Sequence, residues 1–188
     1  MKPNFSVSNE QMSDDELMEL VQNGDRASFA MIFKRHGVQV VRYAVSLTGS
    51  MADAQDLAQE VFLKAYAQRM MYRKMGIMKN WLFKICRNLH IDLQRRRVVR
   101  PVLVDFQQMS GAAEITAEYS ATCEKGQFFS HPLIGKLPEE LREILFLRIA
   151  EELSYQEIAA ITDKSIESLR QMVSRALKAM RDRGEVLE

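Results

Sequence analysis

The sequence predicts an all-α chain: two small helical domains joined by a flexible linker, the C-terminal one a helix-turn-helix. Three observations carry that expectation. Apolar residues recur at helical spacing over most of the 188 positions. Only 8 Gly and 4 Pro interrupt them, too few for a turn-rich β architecture. Between two periodic blocks lies 98–133, where Pro101, Gly111, Gly126 and Pro132 stand among scattered Ser and Thr; the stretch is too long for a loop inside one compact domain.

Residues 1–12 read as a polar leader, expected to be mobile, without the apolar centre of a signal peptide. Ser13-Asp14-Asp15-Glu16 has the form of a capping box, and Leu17, Leu20 and Val21 follow on one face until Gly24. A second helix over 27–47 sets Phe29, Ile32, Phe33, Val40, Val41 and Ala44 at helical spacing, and Thr48-Gly49-Ser50 ends it. A third helix runs over 51–71 and a fourth over 79–97, completing a first domain at 13–97. Within the linker a helical turn is expected near 112–122.

The second domain, 134–188, opens at Leu137-Pro138, where proline suits a first helical turn. Ser154-Tyr155-Gln156-Glu157 is another capping box, with Ile158, Ala159 and Ile161 turned inward. Thr162-Asp163-Lys164 turns the chain, and Ser165 caps a longer helix whose buried face is Ile166, Leu169, Val173, Ala176, Leu177 and Met180. Short helix, tight turn and longer helix present the second helix to a DNA major groove. Its outward positions are Glu167, Ser168, Arg170, Gln171, Ser174, Arg175 and Lys178. Gln suits adenine, Arg suits guanine or phosphate, and a helix N-terminus favours phosphate. An ordinary helical hairpin in a small bundle would satisfy the same apolar spacing.

Net charge is only +1, but it is unevenly spread. Residues 69–100 hold ten Lys/Arg against one Asp, while 101–163 carry −7. A block at +9 is a local field suited to a polyanion. Cys86 and Cys123 make neither a disulfide framework nor a metal cluster, and fit a reducing cytoplasm. No apolar run approaches the ~18 residues of a membrane span, so no membrane insertion is expected. His36, His90 and His131 are widely separated, and no phosphate loop or nucleophile motif accompanies them. Neither an enzyme, a metal site nor a cofactor is expected.

Two helices have polar faces that ordinary solvation does not require. In WLFKICRNLHIDLQRRR, Leu82, Ile85, Cys86, Leu89 and Leu93 make a core stripe. Lys84, Arg87 and Asn88 fall together on another side, Trp81 stands at the boundary, and the helix ends in Arg95, Arg96 and Arg97. A half-exposed Trp can stack on bases, Asn reads base edges and cations hold phosphates. In DAQDLAQEVFLKAY, Asp53, Asp56 and Glu60 share a face opposite Leu57, Val61, Phe62 and Ala65. The helix dipole accounts for Asp53 and Asp56, whereas Gln59 and Glu60 point to a protein partner bearing arginines.

In this order and separation, these stretches resemble a bacterial sigma factor of the extracytoplasmic-function (ECF, group 4) type, in the sigma-70 family. The resemblance runs from Asp14 to Arg183 and implies a non-enzymatic initiation factor. On it, Asp53, Asp56, Gln59 and Glu60 dock on the largest subunits of core RNA polymerase. Trp81, Arg87 and Asn88 contact the −10 promoter element, which is melted without ATP, and residues 72–78 correspond to a base-capturing loop. Tyr72, Arg73, Lys74, Lys79, Asn80, Lys84, Arg95 and Arg96 belong to the same −10 set. Ser165, Ser168, Arg170, Gln171, Ser174, Arg175 and Lys178 read the −35 element, residues 98–133 bridge the two domains, and an anti-sigma protein is an expected partner. The chain departs from the family pattern at Asp163, where Gly is usual, and at Arg170-Gln171-Met172, where Lys-Ser-Arg is usual. The alternative on the residues alone is a stand-alone helix-turn-helix regulator with an N-terminal sensing domain.

Overall fold

The computed structural model describes residues 12–74, 78–97, 134 and 137–181, which contain helices and turns and no strand. The helices are α1 (Asp14–Gln22), α2 (Arg26–Thr48), α3 (Met51–Ala67), a 3-10 turn (Arg69–Met71) and α4 (Met78–Arg97). After them come α5 (Glu139–Leu145), widening into a π-helical turn (Phe146–Ala150), then α6 (Tyr155–Thr162) and α7 (Ile166–Arg181). The leader up to residue 11, most of the 98–133 linker's flanks at 135–136, and the linker itself with its expected turn at 112–122 lie outside the described residues.

Local chemistry sets the helix ends. The Ser13 hydroxyl accepts the Glu16 N–H, and the Glu16 carboxylate accepts the Ser13 N–H at 2.7 Å, a complete capping box. Asp25 accepts the Ala27 N–H at 3.1 Å, so α2 starts one residue before the sequence expectation. Gly49, at φ 68°, ends α2 in the left-handed conformation that lacks a Cβ penalty. The third helix was expected to reach residue 71, but α3 stops at Ala67. There the carbonyl of Arg69 turns to accept Gln22 Nε2 at 2.8 Å, tightening the chain into the 3-10 turn and tying it to α1. Pro138 stands at the N-cap of α5, one position before the first turn, and its carbonyl accepts the N–H groups of Leu141 and Arg142.

Helices α1–α4 enclose Leu17, Val21, Ile32, Val40, Leu57, Val61 and Leu82, with Phe62 meeting Phe33 edge-on at 4.7 Å. The second block buries Ile144, Leu145, Leu147, Ile158, Ile161, Leu169 and Ala176. The two blocks are in contact: α5 packs on α2, and α6 packs on α4. Tyr43 lies fully buried between Phe83 at 4.6 Å and Phe146 at 6.0 Å, so one apolar core runs through both domains. Arg142 of α5 donates through Nε to the Ser46 carbonyl at 2.6 Å, placing a cation at the negative end of α2. The sequence alone does not indicate that Phe83, Asn80 and His90 become buried, because elements far along the chain cover them.

Leu57→Ala should lower stability by about 2–5 kcal/mol, since a buried leucine leaves both lost transfer energy and a cavity. Urea unfolding should report this as a lower midpoint at an unchanged slope.

Candidate nucleic-acid interface

The polar face predicted on α4 exists, and it extends further toward the helix start than the wheel of Lys84, Arg87 and Asn88 suggested. Asn80, Lys84, Arg87 and His90 succeed one another along one side at steps of three or four residues, with Lys79 flanking Asn80. Each of them meets an acid from the C-terminal domain. Lys79 Nζ is 3.3 Å from Glu151, and Asn80 Nδ2 donates to Glu157 at 3.1 Å. Lys84 Nζ is 2.5 Å from Asp163, Arg87 Nε donates to Glu143 at 3.1 Å, and His90 Nε2 lies 2.7 Å from Glu139.

Glu143, like Glu151, has a side chain only 5% exposed, against 14% for Arg87. Its Oε1 also accepts the Tyr43 hydroxyl at 2.6 Å. Burial pushes the Glu143 carboxyl above its ordinary range, against the opposing pull of Tyr43 and Arg87. The same burial, with Glu143 alongside, raises the Tyr43 phenol well above its usual value. At the solvent edge the shifts reverse. The Lys84 ammonium holds Asp163 below the usual carboxylate range, and the Ser154 cap, helped by Asn80, does the same for Glu157.

These contacts involve several of the residues expected on the −10 surface. Lys79, Asn80, Lys84 and Arg87 are engaged by carboxylates of the chain's own second domain, because the most basic segment has the most acidic one beside it. Tyr72 is also closed off: it is buried, its hydroxyl donates to Asp15, and its ring meets the edge of Trp81 at 5.1 Å. Lys74 pairs with Glu19 at 2.6 Å. Trp81 is half-buried, as its boundary position on the wheel predicts, while Arg73, Asn88 and Arg95 are exposed. The capture-loop residues 75–77 and the side chain of Arg96 lie outside the described residues.

The outward face of α7 is open. Ser165 Oγ accepts the Ser168 N–H at 3.2 Å, capping the helix, and Leu169, Val173 and Ala176 are buried. Arg170, Gln171, Ser174, Arg175 and Lys178 are exposed; Ser168 is half-buried, its hydroxyl directed at Met172 Sδ. Asp163 ends α6 at φ 56°, the left-handed turn where glycine was the family expectation and aspartate suffices. The guanidinium groups of Arg148 and Arg170 both lie over the Tyr155 ring, at 5.2 and 5.7 Å. Sequence reasoning passed over Arg148 and Tyr155 here, since three separate elements bring this stack together.

On α3, Asp56, Gln59 and Glu60 are exposed, and no ion pair engages Asp56 or Glu60 among the described residues. Asp53 sits in the first turn, its N–H donating to the capping Ser50 hydroxyl. Among the described residues no His/Cys/Asp/Glu group could hold a metal ion, and no helix is long and apolar enough to cross a membrane.

A helical domain with a cationic helix, joined to a helix-turn-helix, defines a DNA-binding transcription factor. Comparison with known proteins gives the family. Residues 32–99 match Sigma-70 region 2, and residues 132–180 match Sigma-70, region 4. The ECF RNA polymerase sigma-E factor of Escherichia coli (strain K12) is 30% identical over 187 residues, covering 95% of this chain and 97% of that protein. The RNA polymerase sigma-H factor of Pseudomonas aeruginosa is 29% identical over 179 residues, covering 90% and 93%. Among solved structures, CnrH in complex with the cytosolic domain of CnrY aligns at a TM-score of 0.60 and 25% identity, over 90% of this chain and 97% of that one. The sigma factor RpoE of Bartonella quintana, in complex with the anti-sigma factor NepR, shares the fold at a TM-score of 0.59 and 24% identity, over 82% and 94%. The chain belongs to the sigma-70 family, as an ECF-type sigma factor, and it directs RNA polymerase to promoters. Because matches span both domains, the stand-alone regulator reading is set aside.

Cys86 lies in the core stripe with its thiol pushed up by burial and by Glu143. In a Cys123→Ser variant, iodoacetamide at neutral pH should leave the native protein unlabelled and modify Cys86 only after denaturation, as mass spectrometry would read.

Proposed function

We propose that this ECF factor is of the group 4 type and divides its work among three faces. The face of α3 bearing Asp53, Asp56, Gln59 and Glu60 docks on the largest polymerase subunits. The α4 face with Trp81, Lys84, Arg87 and Asn88, together with the segment starting at Tyr72, takes the −10 strand. The α7 face from Ser165 to Lys178 reads the −35 duplex. Domain 2 then spans 13–97 and domain 4 spans 134–188, with 98–133 bridging them across the polymerase. The reading is supported above all by the single polar stripe along α4, which gathers an amide and cations on one side of a helix beside a half-buried Trp.

Melting needs no ATP on this reading. Unstacking a base costs a few kcal/mol, and stacking with hydrogen bonds in a capture site offsets it, so binding shifts the population toward opened DNA. The chain acts by binding alone, in the cytoplasm. An anti-sigma protein is its regulatory partner, a reading supported by the solved neighbour in which the sigma factor RpoE is in complex with the anti-sigma factor NepR.

Pull-down on core RNA polymerase, followed by in vitro transcription from a promoter library, tests the assignment. Asp56→Arg with Glu60→Arg should abolish retention on core; undiminished retention would move the docking face elsewhere. Trp81→Ala with Asn88→Ala should lower open-complex formation by about tenfold or more while leaving −35 duplex binding intact, consistent with ~1–3 kcal/mol per stacked base. Arg175→Ala should reduce the salt slope of duplex binding by about 0.9, the value for one phosphate contact.

A further inference from the structure

Two neighbouring apolar side chains of the first domain stay uncovered. Among the described residues the exposed large hydrophobic side chains are Met70 at 63%, Met71 at 68% and Ile149 at 39%. The two methionines lie side by side in the 3-10 turn that follows α3. That turn is tied down at both ends. Gln22 of α1 donates through Nε2 to the Arg69 carbonyl at 2.8 Å and to the Tyr72 carbonyl at 3.4 Å, bracketing the pair. The N–H groups of Met71 and Tyr72 close on the carbonyls of Gln68 and Arg69, and the Arg69 guanidinium lies over the Tyr66 ring at 4.6 Å. Tyr72 takes the inward position, buried with its ring against Trp81. The two thioethers are therefore held in solvent on a fixed backbone.

The surface they continue narrows what can cover them. Asp56, Glu60, Leu63 and Ala67 recur on one side of α3 at steps of three or four residues. Asp56, Glu60 and Ala67 are exposed, Leu63 is half-buried, and Met70 follows Ala67 by one further three-residue step. This side begins in carboxylates and ends in apolar side chains, about 20 Å along at the helical rise per residue. A nucleic-acid strand is disfavoured there, because its phosphates would meet the exposed carboxylates. A second copy of this chain is disfavoured by size, since two methionines cover far less than the ~800 Å² per partner of a stable interface. They serve as one end of a larger contact, and the acidic end supplies the rest.

We infer that Met70 and Met71 form the apolar end of the polymerase-docking face, seated in an apolar hollow of the same polymerase surface that meets Asp56 and Glu60. The inference rests on the assignment of α3 to docking and adds the part that supplies affinity. Exposed carboxylates steer an encounter and set its register, but they contribute little binding while solvent screens them. Apolar side chains on a turn already fixed lose little freedom on binding, and the unbranched thioether fits an irregular hollow. The partner surface is thus basic at one end and apolar about 20 Å away.

The test is the affinity of the full-length chain for core RNA polymerase over a range of salt concentrations. Met70→Ala with Met71→Ala removes exposed atoms only, so its thermal midpoint should match that of the wild type while affinity for core falls about tenfold. Met70→Leu with Met71→Leu should keep affinity within about twofold of wild type, because the apolar volume is conserved. The alanine pair should leave the salt slope of core binding unchanged, whereas Asp56→Asn with Glu60→Gln should flatten it. Wild-type core affinity in the alanine pair, alongside weakened binding by the Asp56 and Glu60 variants, overturns the apolar end alone. Lost affinity for a labelled single DNA strand with core affinity kept would make the methionines a DNA contact and overturn it as well. Undiminished core affinity in both sets of variants would remove the docking face itself, and its apolar end with it.

Discussion

The arrangement of this molecule depends on one buried contact, the Glu143 carboxylate shared by the Tyr43 hydroxyl and the Arg87 guanidinium. It joins α2, α4 and α5, three helices that are distant along the chain. An unpaired carboxylate at this depth would be untenable, and so would an unpaired guanidinium. Each requires the other, and the phenol satisfies a further carboxylate lone pair. Around this point the apolar part of the interface is continuous, from Phe83 through Tyr43 to Phe146. The ionic part lies outside it, reaching solvent at Asp163 and Glu139. Apolar stacking supplies the attraction, while the charges determine which faces come together.

Helix termini make that choice definite. Arg142 reaches from α5 to the last carbonyls of α2, and Glu157 both completes the capping box of α6 and accepts from Asn80. Asp163 both ends α6 in a left-handed turn and pairs with Lys84. Residues that shape the helix-turn-helix locally are thus also residues that hold it against the first domain. The outward side of α7 faces solvent, while one side of α4 faces the chain's own second domain.

Much of this was legible from residue order. The two capping boxes, the Gly49 stop, the left-handed turn at Asp163, the core stripe of α4 and the open faces of α3 and α7 are all local matters of side-chain chemistry and periodicity. Helix ends were displaced where a distant residue intervened, as Gln22 does at Arg69. The polar side of α4 was legible, but its surroundings were not. Tyr72, at the start of the segment 72–78, is buried against Trp81 and bonded to Asp15. Asp15 is far from Tyr72 in the sequence and Trp81 belongs to the next helix, so helical periodicity could not link them.

By itself, the sequence determined the helices, their caps, the two-domain division and the opposed charges of the blocks at 69–100 and 101–163. These follow from interactions within a few residues, or from simple sums of charge. Only the tertiary structure decided that Lys79, Lys84 and Arg87 of the first block meet carboxylates of the second. That outcome depends on which helix faces meet, and on the apolar contact between Tyr43 and Phe146 that brings the carboxylates within bonding distance of α4. A one-dimensional pattern records how much charge each segment carries, whereas desolvation and distance determine where that charge is spent.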